Sequence, residues 1–301
     1  MSLAVSRLGA ADVDECAWLD ALNVCFPGWG GADRFAWCFR RAGAGRTPDA
    51  LALTDRGRVV AGSGVTYRTL VLTDGRRVPA AIMTGSWTLP EARGRGAFTR
   101  LVAESRAAAA ARGAPILLAF VTEGNASRRR LEAAGAEMLP SFYCRAAGAA
   151  SGAGQLENLG EPDPATFRTA PGFARFTYED EEWRGQFVER PGGVRVLGVR
   201  GSFAALVEEG PDRRVHALAA APPFVGAAHA ALAADAARAG RATFAFTTRP
   251  ALAAELERLG FTIGRGFVTA LPSAAPSLTA ALETDDARRL LNLDLVSGDR
   301  M

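Results

Sequence analysis

Between residues 90 and 101 the chain reads PEARGRGAFTRL. Arg93, Gly94, Arg95 and Gly96 follow an apolar stretch that ends at Trp87, Thr88 and Leu89, and precede an alanine-rich stretch that begins with Ala97 and Phe98. A strand that turns through glycines into a new helix makes an anion site from backbone alone. The first N–H groups of the helix lack intrahelical acceptors, and the peptide dipoles add positive charge there. Glycines let the chain close around phosphate oxygens, and Arg93 and Arg95 would add charge-assisted hydrogen bonds. The same residues would also serve as a solvated strand-to-helix turn, so the surrounding elements must decide between the two.

Other groups able to do chemistry are few. Glu123 follows the apolar run PILLAFVT, Asn125 comes two residues later, and Tyr143 lies in SFYCRA. His216 falls near the end of a strand pattern, where it could face a cleft; His229 falls within a helix pattern and is expected at the surface. Cys16, Cys25, Cys38 and Cys144 have no C-x-x-C spacing, so no metal site is expected and each is read as a small buried hydrophobe. The run YEDEEW, residues 178 to 183, reads as the acidic first turn of a helix.

The elements that position these groups can be read from period and turn chemistry. A strand is expected within 3 to 8, then a helix capped by Asp12, a second helix carrying Phe35, Trp37, Cys38 and Phe39, and three antiparallel strands from 50 to 89 joined by DRG and TDGR turns. A helix from 97 to 112 stopped by Gly113, a buried strand at 115 to 122, a short helix and a last strand complete the order βααβββαβαβ. The text around 244 to 261 repeats that around 118 to 136, each copy preceded by an alanine-rich helix ending in glycine, Gly113 or Gly240. Two similar domains follow from this: residues 1–147, a linker over 148–164, a second domain over 165–275, and a tail over 276–301 with a helix from Ser277 to Leu293 that would dock in cis or pair two copies as a homodimer.

The chain has 301 residues, 49% hydrophobic and 22% charged, with a net charge of only +3, values that fit a globular protein and give no field suited to nucleic acid. It shows neither a secretory leader pattern nor a continuous apolar run of about 18 residues, so a cytoplasmic protein without membrane partners is expected.

LPEARGRGAFTRL resembles the pyrophosphate signature R-x-x-G-x-G/A of the Gcn5-related N-acetyltransferase (GNAT) superfamily, with Arg93 first, Gly96 fourth and Phe98 in the sixth position in place of Gly or Ala. EGNASRRRLEAAGA resembles the later motif of that superfamily, with Asn125 matching and Ala136 replacing Phe. The resemblance covers most of residues 1 to 147. In the second half AAAPPFVGAAHAAL lacks the Arg or Gln and the glycine spacing, and Pro222 and Pro223 remove N–H donors, so that half reads as degenerate.

The resemblance implies an α/β (α+β) fold of two tandem GNAT-like domains, each a mixed, mostly antiparallel sheet flanked by helices. It implies acetyl-CoA or another acyl-CoA as co-substrate and no metal. Trp87, Thr88 and Leu89 would line the pantetheine groove, with the Leu89 N–H polarising the thioester; Arg93, Gly94, Arg95, Gly96, Ala97, Phe98 and Asn125 would hold the cofactor. Glu123 is the candidate base. Glu132 stands where many members carry an acidic Tyr, which leaves Tyr143 as the candidate acid. The implied reaction is direct attack of an amine, most simply a small molecule, on acetyl-CoA in a ternary complex. The alternative is an acyl-CoA-binding or ligand-sensing module without turnover.

Overall fold

The computed structural model describes residues 3–8, 14–147, 156–167 and 172–300. In the first half β1 (Ala4–Arg7) leads into α1 (Glu15–Cys25) and α2 (Ala32–Phe39), then into a meander of β2 (Asp49–Asp55), β3 (Arg58–Val71) and β4 (Arg77–Thr88). The half continues with α3 (Ala97–Ala111), β5 (Ile116–Thr122), α4 (Ala126–Ala133) and β6 (Glu137–Ala146), in the expected order. Asp12 lies outside the described residues; Asp14 caps α1, its side chain accepting from the Cys16 N–H. The β2–β3 hairpin turns on Arg56 and Gly57, both at positive φ, as a two-residue primed turn demands.

The second half contains β7 (Glu157–Asn158), β8 (Arg175–Thr177), α5 (Asp180–Trp183), β9 (Arg195–Val199), β10 (Phe203–Glu209) and β11 (Arg213–Ala220). It continues with α6 (Val225–Arg238), β12 (Thr243–Thr247), α7 (Pro250–Arg258) and β13 (Thr262–Pro272). The tail forms two short helices, α8 (Leu278–Ala281) and α9 (Ala287–Leu290), instead of the single helix expected from 277 to 293. Ser277 and Asp286 each cap a new turn, and Glu283 between them sits at φ +50°, which ends the first. Among the described residues no helix is long and apolar enough to cross a membrane.

Each half is a mixed, mostly antiparallel sheet, but the last strands are exchanged. β13 lies between β5 and β6, and β6 in turn lies between β13 and β12, so the two halves share one 13-stranded sheet with β8 pairing off the path. β13 pairs antiparallel with β5 from Gly266↔Thr122 to Pro272↔Ile116, and with β6 from Thr262↔Arg145 to Ala270↔Glu137. Val268 and Ala270, fully buried on one face, and Leu271 on the other drive this insertion. Gly266 permits it sterically: a Cβ there would fall 2.5 Å from Tyr143 Cε2 and 2.6 Å from the Val121 carbonyl oxygen.

Alternation along the strands sorts the core into two layers. Leu51, Leu53, Ala81 and Met83 pack under α3, while Ala52, Phe39, Trp18 and Trp87 form an aromatic cluster under α1 and α2 on the opposite face. The tail, from Leu278 to Leu295, covers that opposite face over Ala80, Ile82, Ile116 and Leu118.

Candidate active site

The geometry of the site begins with a bulge. Gly62 pairs with Trp87 and Gly64 with Thr84, so Gly85 and Ser86 of β4 together face the single residue Ser63. Such an extra residue bends its strand. Gly85 takes φ +56° there, and the Ser63 and Ser86 hydroxyls are 2.8 Å apart. Parallel pairing of β4 with β5 accordingly runs only from Ala80↔Ile116 to Met83↔Ala119. Beyond it Thr84–Thr88 and Phe120–Thr122 part, framing a gap whose walls carry backbone groups released from the ladder.

The gap leads to the start of α3. Pro90–Ala92 form one tight turn, Gly94 and Gly96 both take φ +77°, and nothing lies within 4 Å of where a Cβ on either would be. Gly96 is the N-cap without a side-chain cap bond, and the ladder resumes with the Arg100 N–H donating to the Gly96 carbonyl at 3.0 Å. The N–H groups of Ala97, Phe98 and Thr99 thus precede the ladder, as in an anion-binding helix terminus. Arg95 is held by Asp55 of the β2–β3 hairpin at 2.9 Å, and Arg93 Nε donates to the Thr88 carbonyl at 3.3 Å. Two left-handed glycines, an uncapped helix start and two arginines form a donor set that fits a pyrophosphate.

Several expected roles change. The Leu89 N–H donates to the Val60 carbonyl at 2.9 Å, so it is committed to the β3–β4 ladder and does not face a thioester. Trp87 turns its indole into the α1–α2 cluster, 3% exposed and edge-on to Trp18 at 5.5 Å, rather than lining the groove. Thr88, between these two residues, points its backbone the other way by antiparallel alternation, toward the gap. Cys25, at the end of α1, is half-buried rather than buried, and Cys16 is exposed, whereas Cys38 and Cys144 are buried. Burial pushes the Cys25 thiol up, against the pull of the Arg93 guanidinium and the Thr88 backbone. Helical spacing alone had hidden this thiol; its place as the last residue of α1, next to the loop that follows, was the available signal.

Phe98 is half-buried against the α3 core, and Ala97 is buried beneath the loop. Asn125 caps α4, its Oδ1 accepting from the Ser127 N–H at 2.8 Å, which leaves its amide NH2 as the group to offer a ligand. Glu123 stands at the mouth of β5, 53% exposed, with Arg128 at 3.9 Å. Tyr143 is not brought to the gap: β5 and β13 stand between its strand and β4. With strands about 4.8 Å apart it is beyond the reach of a general acid. Its ring is stacked under the Arg300 guanidinium at 4.7 Å, and burial raises its pKa.

The second half repeats the geometry and closes it. β11 pairs with β12 only at Arg213↔Thr243 and Arg214↔Phe244, and the extra residue of the β10–β11 bulge is His216. His216 is buried and neutral, its pKa lowered to about 4 by burial despite Glu208 at 2.9 Å. His229, expected at the surface, lies on the buried face of α6. Leu293–Arg300 run through the parted strands: Val296 bridges Thr247, the Leu295 N–H donates to Thr248 Oγ1 at 3.0 Å, and Gly298 packs against Phe187 and the His216 carbonyl. The Glu255 carboxylate lies directly against Gly226 in the first turn of α6, where an anion would otherwise bind.

Residues 6–130 match the family model for the acetyltransferase (GNAT) domain. No curated sequence matches the chain. Among solved structures, a GCN5-related N-acetyltransferase from Kribbella flavida is similar with TM-score 0.61 and 19% identity, over 93% of this chain and 74% of that one. A GCN5-related N-acetyltransferase from Anabaena variabilis gives 0.61 and 14% over 90% and 73%. A tandem GNAT protein from the clavulanic acid biosynthesis pathway gives 0.58 and 15% over 92% and 100%. At these identities the structural likeness speaks to fold, including the tandem arrangement; the motif-bearing half is matched by the family itself. Residues 6–130 thus match the Gcn5-related N-acetyltransferase (GNAT) domain family, within a fold that is similar over most of the chain to a tandem GNAT protein.

Proposed function

We propose that this chain transfers an acetyl group from acetyl-CoA to a small-molecule amine, with one active centre in the first half. The observation that carries the reading is the continuity of the β4–β5 gap with the uncapped, doubly left-handed glycine turn of α3. Acyl-CoA, when bound, supplies an activated thioester carbonyl. Arg93 and the N–H groups of Ala97, Phe98 and Thr99 bind its pyrophosphate, with Arg95 oriented by Asp55. The freed edge of β4 around Thr88 holds the amide-bearing arm, and backbone donors of the Gly85–Ser86 bulge meet the carbonyl where charge develops. An amine with pKa near 10 arrives protonated; Glu123, exposed at the mouth of β5, takes that proton through water, the neutral nitrogen forms the C–N bond as the thioester C–S bond breaks, and the nitrogen's second proton passes through solvent to the departing thiolate.

Calorimetric titration with acetyl-CoA tests the assignment. One site per chain is expected, lost in an Arg93→Glu, Gly96→Asp double variant; the absence of heat with the unaltered protein refutes it. Neither residue considered for protonating the leaving thiolate is brought to the gap among the described residues, which favours a second reading, a non-catalytic acyl-CoA-binding module: Tyr143 is walled off by β5 and β13, and Glu132 faces solvent. Binding of acetyl-CoA with no thiol release on any amine of a broad panel would select that second reading.

A further inference from the structure

A cavity of about 400 Å³ lies at the junction of the halves, remote from the α3 turn. One wall is β8, which pairs with the Thr69–Val71 end of β3. The others are β11, the helical segment after β8, and the tail. Phe167, Trp183 and Phe187 form a ladder of near-parallel rings, 5.9 and 5.3 Å apart, that gives the cavity a flat apolar side. Asp294 and Asp299 of the tail face them.

The charges of the lining are unequally satisfied. Arg77 is paired with Glu179 at 3.5 Å, and Arg175 donates to the Phe173 carbonyl at 3.3 Å. Asp299 has only neutral donors, the Tyr178 hydroxyl at 2.8 Å and the Val296 N–H at 2.9 Å. The Asp294 carboxylate makes no hydrogen bond or ion pair among the described residues, and burial raises its pKa despite Arg249 and Arg175. A half-buried carboxylate that no side chain hydrogen-bonds among the described residues, with Arg249 and Arg175 near but not paired to it and an apolar aromatic wall opposite, is the complement of an organic ammonium ion with a flat apolar body.

We propose that this cavity is a binding site for an aryl-alkyl ammonium ligand, with the cationic nitrogen on Asp294 and the body along the Phe167–Trp183–Phe187 ladder. The site is separate from the acyl-CoA gap and does not depend on the acyl-transfer reading. It gives the second half a role its closed cleft cannot supply: recognition of an amine. The polypeptide tail that fills that cleft also builds the ligand's anionic wall, through Asp294 and Asp299.

Calorimetry on the full chain with 2-phenylethylamine, 2-phenylethanol and phenylacetate tests the proposal, since the three share a body and differ in charge. The amine is expected to bind once per chain and about tenfold or more tighter than the alcohol, as a charge-assisted contact requires, with phenylacetate weakest. Asp294→Asn should erase the preference for the amine, and Ala217→Leu, which fills the cavity from the face of β11 that packs with the aromatic ladder, should abolish binding with thermal unfolding unchanged. The Arg93→Glu, Gly96→Asp variant should retain it. No binding of the amine, equal binding of the alcohol, or binding indifferent to both cavity variants overturns the proposal.

Discussion

Because β13 is hydrogen-bonded to β5 on one side and β6 on the other, the two halves should unfold as one unit, and Val268→Ala tests this directly. Val268 is 0% exposed, in one buried cluster with Ile82, Leu118, Leu139 and the tail leucines. Removing two carbons costs about 1.6 kcal/mol at about 0.8 kcal/mol per buried methylene, and the residual cavity raises this to about 2–3 kcal/mol. At about 2 °C per kcal/mol for a cooperative unit of this size, the midpoint should fall by about 4–6 °C. Differential scanning calorimetry should show one transition before and after the change. Near-UV circular dichroism should lose the Trp18, Trp37 and Trp87 signal of the first half together with that of Trp183 in the second. Two transitions, with only the later half shifted, would refute the reasoning. So would a fragment of residues 1–147 that folds and binds acetyl-CoA, since in it β5 and β6 would have no strand between them.

Two further outcomes are expected. His229 and His216 are both held neutral, with pKa values lowered by burial to about 4 from 6.5. Their contribution to stability is complete above about pH 6.5 and is lost as pH falls toward 4. Asp299, raised by burial to about 6, acts with opposite sign: its contribution is present below about pH 4 and lost as pH rises through 6. His229→Leu should flatten the decline in thermal midpoint between pH 6.5 and 4.5, and a profile parallel to the parent's would contradict the assignment. Asp55→Asn removes the ion pair that orients Arg95 at the α3 turn; acetyl-CoA affinity should drop by about three- to tenfold while the midpoint, set by the core, moves little, because the Arg95–Asp55 pair is partly exposed. A large loss of stability with unchanged affinity would assign the pair to the fold instead of the site.

Much of the site was legible locally because its parts are local. Gly94 and Gly96 must be glycines for their backbone angles, the helix begins where alanine propensity rises, and Asn125 is a cap by residue type and spacing. The order of strands and helices followed from period and turn chemistry, down to the Arg56–Gly57 hairpin turn. What failed depended on partners distant in sequence. Of the three residues expected along the groove, Leu89 and Trp87 drop out and Thr88 stays, because backbone direction and side-chain face alternate along β4, and the phase of that alternation is decided by β3. Tyr143 reads as a near neighbour of the fifth strand because it follows it in sequence; a strand from 120 residues later separates them. The sequence by itself therefore determined the order of strands and helices in the first half and the glycine turn that starts α3, which rest on contacts within a few residues. Only the tertiary structure decided that the last strands are exchanged, that the tail closes the second cleft, and that Asp294 faces an aromatic wall. Those arrangements depend on which buried surfaces meet between strands far apart in the sequence, which no local pattern encodes.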